Sequence, residues 1–328
     1  MSTQTQSVHP ASSRTKGNGS ITVRQLRESD LEVADSIFRT AFDTFTGVPN
    51  LFGTRDYVHT RWRTHPEAAI AAELDGALVG TNFITHWGTF GFFGPLSVRT
   101  DLWDRGIAKA LMEASLDLFD AFGTRREGLF TFPHSPKHIG LYQKFGFWPR
   151  FLTPILGKAI GPQGDRVPYT LYSELLPDQR ESYEDAAAEM TAMLLEGLDL
   201  RREIRSLQQQ RVGDTVFLSS GSRLEGFAVC HLGQGSEAGA GTCYIKFGMV
   251  RSSGRSRLEF DRLLRAVEAL TTRRGAQRIE VGVSMECRAI GEALLALGYR
   301  PGMIGVTMER PNGAAYHRPE AWVLSDWR

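Results

Sequence analysis

The chain has 328 residues, room for two domains of ordinary size. With 41% hydrophobic and 23% charged residues and a formal net charge of +1, it has the composition of a globular protein and offers no electrostatic case for nucleic acid or a membrane surface. Cys230, Cys243 and Cys287 show no metal-site spacing and suit a reducing cytoplasm, and no apolar run reaches the roughly 18 residues of a spanning helix.

Residues 1 to 20 are small and polar and lack the apolar core of a signal peptide, so a disordered arm is expected. "ITVRQLRESDLEVADSIFRTAF" reads as strand, turn and helix, with Ser29 or Asp30 as cap and Leu31, Ala34, Ile37, Phe38 and Ala41 as the buried stripe. Residues 43 to 66 are aromatic and irregular, a second helix with loops. "AAIAAELDGALVGTNFITHW" is a hairpin turned at Asp75-Gly76. "FGFFGPLSV" reads as one strand in which Pro95 forces a bulge or an unpaired position. "RGIAKALMEASLDLFDAFG" is an amphipathic helix ending at Gly123. "EGLFTFP" is a strand, "SPKHIGLYQKFGF" a helix with Ser135 at the cap and Pro136 first, and "WPRFLTPILGKAI" a strand.

The second half repeats this order. "VPYTLYSELL" reads as a strand and 178 to 210 as charged helix. "DTVFLSS" and "RLEGFAVCHL" read as a hairpin, and 233 to 241 as a flexible connection. "CYIKFGMV", "RIEVGVSM" and "IGVTMER" read as strands around two helices, with the last as the closing strand. Val98-Arg99 matches Val250-Arg251, Gly123 matches Gly275 and Gly146-Phe147 matches Gly298-Tyr299, each at an offset of 152. This predicts two copies of one mixed α/β fold, a first domain over 21–160 and a second over 161–328.

Between "GPLSV" and the helix at 107 lies "WDRG". A lone glycine there serves a plain capped turn or an anion cradle. In the second case the unpaired amides of the helix start face a phosphate that no Cβ obstructs. The stretch "LSV…WDRGIAKALM…LFTFPHS…LYQKFGFWPR" resembles the GNAT superfamily of acyl-CoA-dependent N-acyltransferases. The resemblance implies that the turn at Asp104, Arg105, Gly106, Ile107, Ala108 and Lys109 binds the pyrophosphate of acetyl-CoA through backbone amides. Trp103 stands where the family has Gln or Arg. It further implies that the backbone of Leu96, Ser97 and Val98 pairs with the pantetheine and that Ser135 hydrogen-bonds the co-substrate. Tyr142, two helical turns after Ser135, would be the general acid that protonates the leaving thiolate.

The attacking amine needs a base, and His134 and His86 are candidates, with His138 and Glu73 weaker ones. The first half has no cysteine, which leaves direct attack in a ternary complex. At the offset of 152, Gly106, Ala108 and Tyr142 become Leu258, Phe260 and Leu294, so the second copy is expected to be catalytically silent, shaping the substrate site, supporting a homodimer or completing the core. The expected function is transfer of an acetyl group from acetyl-CoA to a small-molecule or peptide amine, without metal. Phe42, Phe45, Phe52, Tyr57 and Trp62 would favour an apolar or aromatic acceptor over a polycation. An acyl-CoA sensor without turnover and a degenerate interaction protein are the alternatives.

Overall fold

The computed structural model describes residues 20–161 and 167–328; most of the expected N-terminal arm lies outside them. In chain order the first half holds β1 (Ile21–Gln25), α1 (Leu31–Thr46), α2 (Val58–Thr64), β2 (Ala69–Leu74), β3 (Ala77–Trp87), β4 (Phe90–Phe93), β5 (Ser97–Val98), α3 (Ile107–Phe122), β6 (Arg126–Thr131), α4 (Pro136–Gln143) and β7 (Trp148–Ala159). The second holds β8 (Thr170–Leu171), α5 (Pro177–Leu194), α6 (Arg201–Gln210), β9 (Gly213–Ser220), β10 (Arg223–Gly233), β11 (Gly239–Val250), α7 (Ser256–Arg273), β12 (Arg278–Gly282), α8 (Arg288–Ala296), β13 (Arg300–Arg310) and β14 (Val323–Ser325).

Twelve strands run in the order β1-β2-β3-β4-β6-β13-β7-β12-β11-β10-β9-β8, so the halves share one mixed sheet. At its centre they exchange strands. β13 lies between β6 and β7, and β7 lies between β12 and β13. The antiparallel pairs Ile304↔Pro154 and Val306↔Leu152 are interchanged by the offset of 152, which marks a pseudo-two-fold between the central strands. β4 ties the first half to the second by alternation. Phe90 and Phe92 join Trp87 in the core that spans the second half, while Phe93 joins the core under α3.

Four local expectations are corrected. Asp30 stands before α1, but its carboxylate accepts from the Arg27 amide at 2.8 Å and from Arg24, so it closes the preceding turn instead of capping the helix. "FGFFGPLSV" is two strands. β4 pairs with β3 and β6, and after Gly94-Pro95 β5 pairs with β3 alone. Of "VPYTLYSELL" only Thr170–Leu171 is strand, because Asp214 takes the Ser173 amide and hydroxyl and turns the chain away. "IGVTMER" is not the last strand: β14 follows and pairs with β11.

The glycine-rich connection at 233–241 is packed, not floppy. The Ser236 carbonyl accepts from the Asp56 amide at 2.9 Å, and the Ala240 amide donates to Thr54. Its Glu237 side chain, 1% exposed, pairs with Arg61 of α2 and with Lys246 of β11, and Lys246 also meets Glu203 of α6 at 2.9 Å. Two buried cations and two buried carboxylates thus pin α2 to the second half. Burial alone would raise the Glu237 carboxyl, but Arg61 and Lys246 outweigh it and hold it at about 2. The group therefore adds stability at neutral pH that is lost as pH falls from its ordinary value near 4.5 towards 2. Glu237→Gln is expected to cost about 3–5 kcal/mol, since it strands buried positive charge. It should also flatten the acid limb of stability against pH; urea titration at pH 7 and pH 4 reads both, and an unchanged midpoint at pH 7 would refute the role.

Candidate active site

Two confluent cavities open on the first half. They share Phe42, Phe93, Gly94, Pro95, Phe130 and Phe132. The larger, about 580 Å³, runs from the turn at 103–109 past β5 to Tyr142. The smaller, about 330 Å³, lies between α1, the chain before α2, and the exchanged strands.

The larger cavity follows from the split after Phe93. With β4 held by β6 and β5 leaving toward β3, the outer edge of Leu96, Ser97 and Val98 lines the space. The Ser97 hydroxyl is buried without a partner. The Val98 carbonyl is already taken by the Trp103 indole at 2.9 Å, and Lys137 lies over that ring, so Trp103 finishes β5 where a Gln or Arg was expected.

Gly106 precedes α3 with φ +85°, a conformation that glycine adopts without strain. A Cβ added there would meet nothing within 4 Å, so the space beside it is open. The earliest α3 amide bond runs from Ala110 to the Gly106 carbonyl at 3.1 Å, leaving the Gly106, Ile107, Ala108 and Lys109 amides ahead of the ladder. Asp104, Gly106, Ile107, Ala108 and Lys109 all line the cavity. Arg105 is exposed outside its lining, and Asp104 is paired with Lys137 at 2.7 Å. The turn has the approachable amides and local positive end that a pyrophosphate requires.

Ser135 caps α4, accepting from the His138 amide at 3.4 Å, and lines the same cavity. Tyr142, 8% exposed, lies at its end against Phe93, with ring centroids 5.7 Å apart. Burial pushes its phenol well above the ordinary value, so it keeps its proton at neutral pH. The expected bases separate. His86 packs on Phe122 at 4.9 Å and lines neither cavity. His134 is exposed and stacked on Phe45 at 6.0 Å. Glu73 pairs with Arg24 on β2. His138 is the imidazole in the cavity, 6.5 Å from Tyr142 by ring centroids. Burial and then Lys137 lower its value, so its ring is neutral.

The smaller cavity has walls that no short motif announces. Phe42, Phe52 and Tyr57 line it as expected, while Phe45 faces the larger cavity and Trp62, half-buried, packs against the core and donates to the Leu26 carbonyl. The remaining walls come from far along the chain: Arg278 and Glu280 of β12, Met303 of β13, and Trp327 and Arg328 after β14.

At the positions that match the larger cavity, the described residues of the second half are arranged differently. β11 runs unbroken over Gly239–Val250, where the first half splits. Gly248 and Met249, the counterparts of Leu96 and Ser97, are paired with Leu324 and Val323 of β14. The chain's own strand thus occupies the edge that β5 leaves open. Phe260, in place of Ala108, is fully buried and packs on Trp322. Leu294, in place of Tyr142, is core. Leu294→Ala is expected to cost about 2–5 kcal/mol in denaturant unfolding, with no effect on turnover below the melting transition. A slowed chemical step in a folded variant would contradict this.

Residues 34–147 match the acetyltransferase (GNAT) family. That stretch is therefore similar to a GNAT domain, and the fold of the whole chain is that of two GNAT-like halves in tandem. No curated protein matches the chain in sequence. Among solved structures, a Pyrococcus horikoshii protein described as an acetyltransferase superposes with a TM-score of 0.69 at 15% identity, over 98% of this chain and 99% of that one. A GCN5-related N-acetyltransferase from Sphaerobacter thermophilus gives 0.59 at 13% identity, covering 91% and 98%. A tandem GNAT protein from the clavulanic acid biosynthesis pathway gives 0.55 at 14% identity, covering 90% and 99%. At these identities the likeness is one of fold.

Proposed function

We propose that the protein is an N-acetyltransferase that moves an acetyl group from acetyl-CoA to the amine of a small acceptor, in the first half only. The observation that carries this is the pair of confluent cavities, one ending in the Gly106 turn and Tyr142, the other walled by aromatics. The α3 amides and Ser135 would hold the co-substrate, and the open edge of β5 would pair with its pantetheine arm. The acceptor would enter from the smaller cavity, its amine meeting the thioester near Gly94. The nitrogen lone pair attacks the carbonyl, the carbon–sulfur bond breaks, and the Tyr142 proton passes to sulfur. His138, neutral and adjacent, is the side chain best placed to take the amine's proton, directly or through water.

Residues 21–160 would be the catalytic domain and 161–328 a silent partner that supplies acceptor walls. Calorimetry with acetyl-CoA should give one site per chain, and thiol release over an amine panel should follow. Two equivalent sites would overturn the silent second half. Binding without thiol release for any amine would favour a sensor, and no binding at all an interaction protein.

A further inference from the structure

The smaller cavity is apolar over most of its wall, yet three guanidinium groups and one carboxylate line it: Arg55, Arg278, Arg328 and Glu280. Glu280 lies among all three, 3.0 Å from Arg55, 3.3 Å from Arg278 and 3.9 Å from Arg328. Behind Arg328, the Asp326 carboxylate lies 3.2 Å from its Nε, and the guanidinium lies over Tyr244 at 4.1 Å from the ring centroid. Counted by side chains, three guanidiniums face the two carboxylates of Glu280 and Asp326, a surplus of one positive charge. Asp326 is spent on Arg328 and the Tyr244 hydroxyl, which donates to it at 2.9 Å.

The donors are spare as well as the charge. Each guanidinium carries five N–H groups. Among the described residues, Arg55 uses one nitrogen on Glu280, Arg278 uses Nε on Glu280, and the terminal nitrogens of Arg328 make no hydrogen bond. The Arg328 side chain is 12% exposed and Arg55 26%, whereas Arg278 is 46% exposed, so a bound oxyanion would be screened least where it meets Arg328. Glu280 stays ionised at neutral pH. Burial would raise its carboxyl, but Arg328 and Arg55 hold it below the ordinary value. It orients the guanidiniums and leaves their outer N–H groups for a second acceptor.

Resting on the acetyl-transfer reading, we infer that the acceptor is an amine with an apolar, preferably aromatic, body that also carries a carboxylate, the carboxylate being held by Arg278, Arg328 and Arg55. A cavity of about 330 Å³ is at the small end of the range for small-molecule sites, which fits a compound of amino-acid size. The surplus positive charge disfavours a diamine or polyamine. Arg328 reaches the site because Arg61 bonds both its main-chain oxygen and the Gly94 carbonyl, which joins this end of the chain to the mouth of the larger cavity.

The test uses matched pairs on the full-length protein: phenylalanine against 2-phenylethylamine, 4-(aminomethyl)benzoate against benzylamine, and cadaverine. The first acid places the carboxylate beside the amine and the second places it far away. Thiol release gives kcat/KM for each, and calorimetry gives Kd for the N-acetylated form of each monoamine. At least one acid is expected to exceed its neutral partner by about 10- to 100-fold, the effect of one charge-assisted hydrogen-bonded contact. Arg278→Gln and Arg328→Gln should each remove most of that ratio while leaving the neutral partner's Kd within about threefold. Neutral amines or cadaverine matching or exceeding both acids would overturn the inference, whether or not acetyl transfer is seen. Because the Kd comparison needs no turnover, absent thiol release would count against the acetyl-transfer reading alone.

Discussion

Tyr142→Phe is expected to lower kcat and kcat/KM together by about 10²- to 10⁴-fold, the usual contribution of a general acid, while leaving the acetyl-CoA Kd nearly unchanged. The ring packs against Phe93 and is 8% exposed, so phenylalanine keeps the fold and the cavity wall. Only the hydroxyl is lost, and the task proposed for it arises when sulfur gains charge in the transition state. Burial keeps that phenol protonated through the neutral range, so its proton is in place at neutral pH. The deficit should shrink with an acyl donor whose thiol has a lower pKa, because that leaving group needs less protonation. Wild-type turnover under saturating amine, with chemistry rate-limiting, would remove Tyr142 from the mechanism and leave the thiolate to water or backbone amides.

Gly106→Glu is expected to weaken acetyl-CoA binding on the order of 100-fold or more. At least two charge-assisted bonds from the α3 amides, each about 1.5–3 kcal/mol, would be blocked, and a negative charge would face the pyrophosphate. A Cβ at this position touches nothing within 4 Å, so the fold suffers only the backbone strain of φ +85°. That strain is roughly 1–2 kcal/mol for a residue with a side chain. A thermal shift that falls modestly without ligand and no longer responds to acetyl-CoA is the expected signature. Gly106→Ala separates the two effects, since it carries the strain without the charge. Unaltered affinity in the glutamate variant would place the pyrophosphate elsewhere.

Local signals made half of this site legible. The glycine turn, the Ser135 cap and Tyr142 sit within 40 residues, on elements whose periodicity and caps are plain in the sequence, and the structure gathers them around one cavity. The offset of 152 likewise predicts the pairing of α3 with α7, β6 with β12 and β7 with β13. The walls of the smaller cavity were not legible, because they depend on pairing. Arg278 and Glu280 look like solvated charges on a strand until β12 is laid beside β7. The Pro95 break was visible as an irregularity, but not that β5 would leave for β3. The packed loop at 233–241 was misread for a related reason. Its glycines suggest freedom, whereas Glu237 is fixed by partners at positions 61 and 246.

The exchange of β7 and β13 bears on how such a molecule can change over time. In a tandem array of self-contained units, a unit that loses its chemistry can be shed. Here a cut between the halves would leave β6 without β13 beside it and would strip β7 of both its neighbours, β12 and β13. The same cut would remove the guanidiniums of Arg278 and Arg328 from the remaining half. The second half is therefore kept by architecture, free to accept substitutions elsewhere so long as β12, β13 and β14 still dock. That freedom is visible in β14, a strand of the chain itself that has settled along the edge matching the one β5 leaves open.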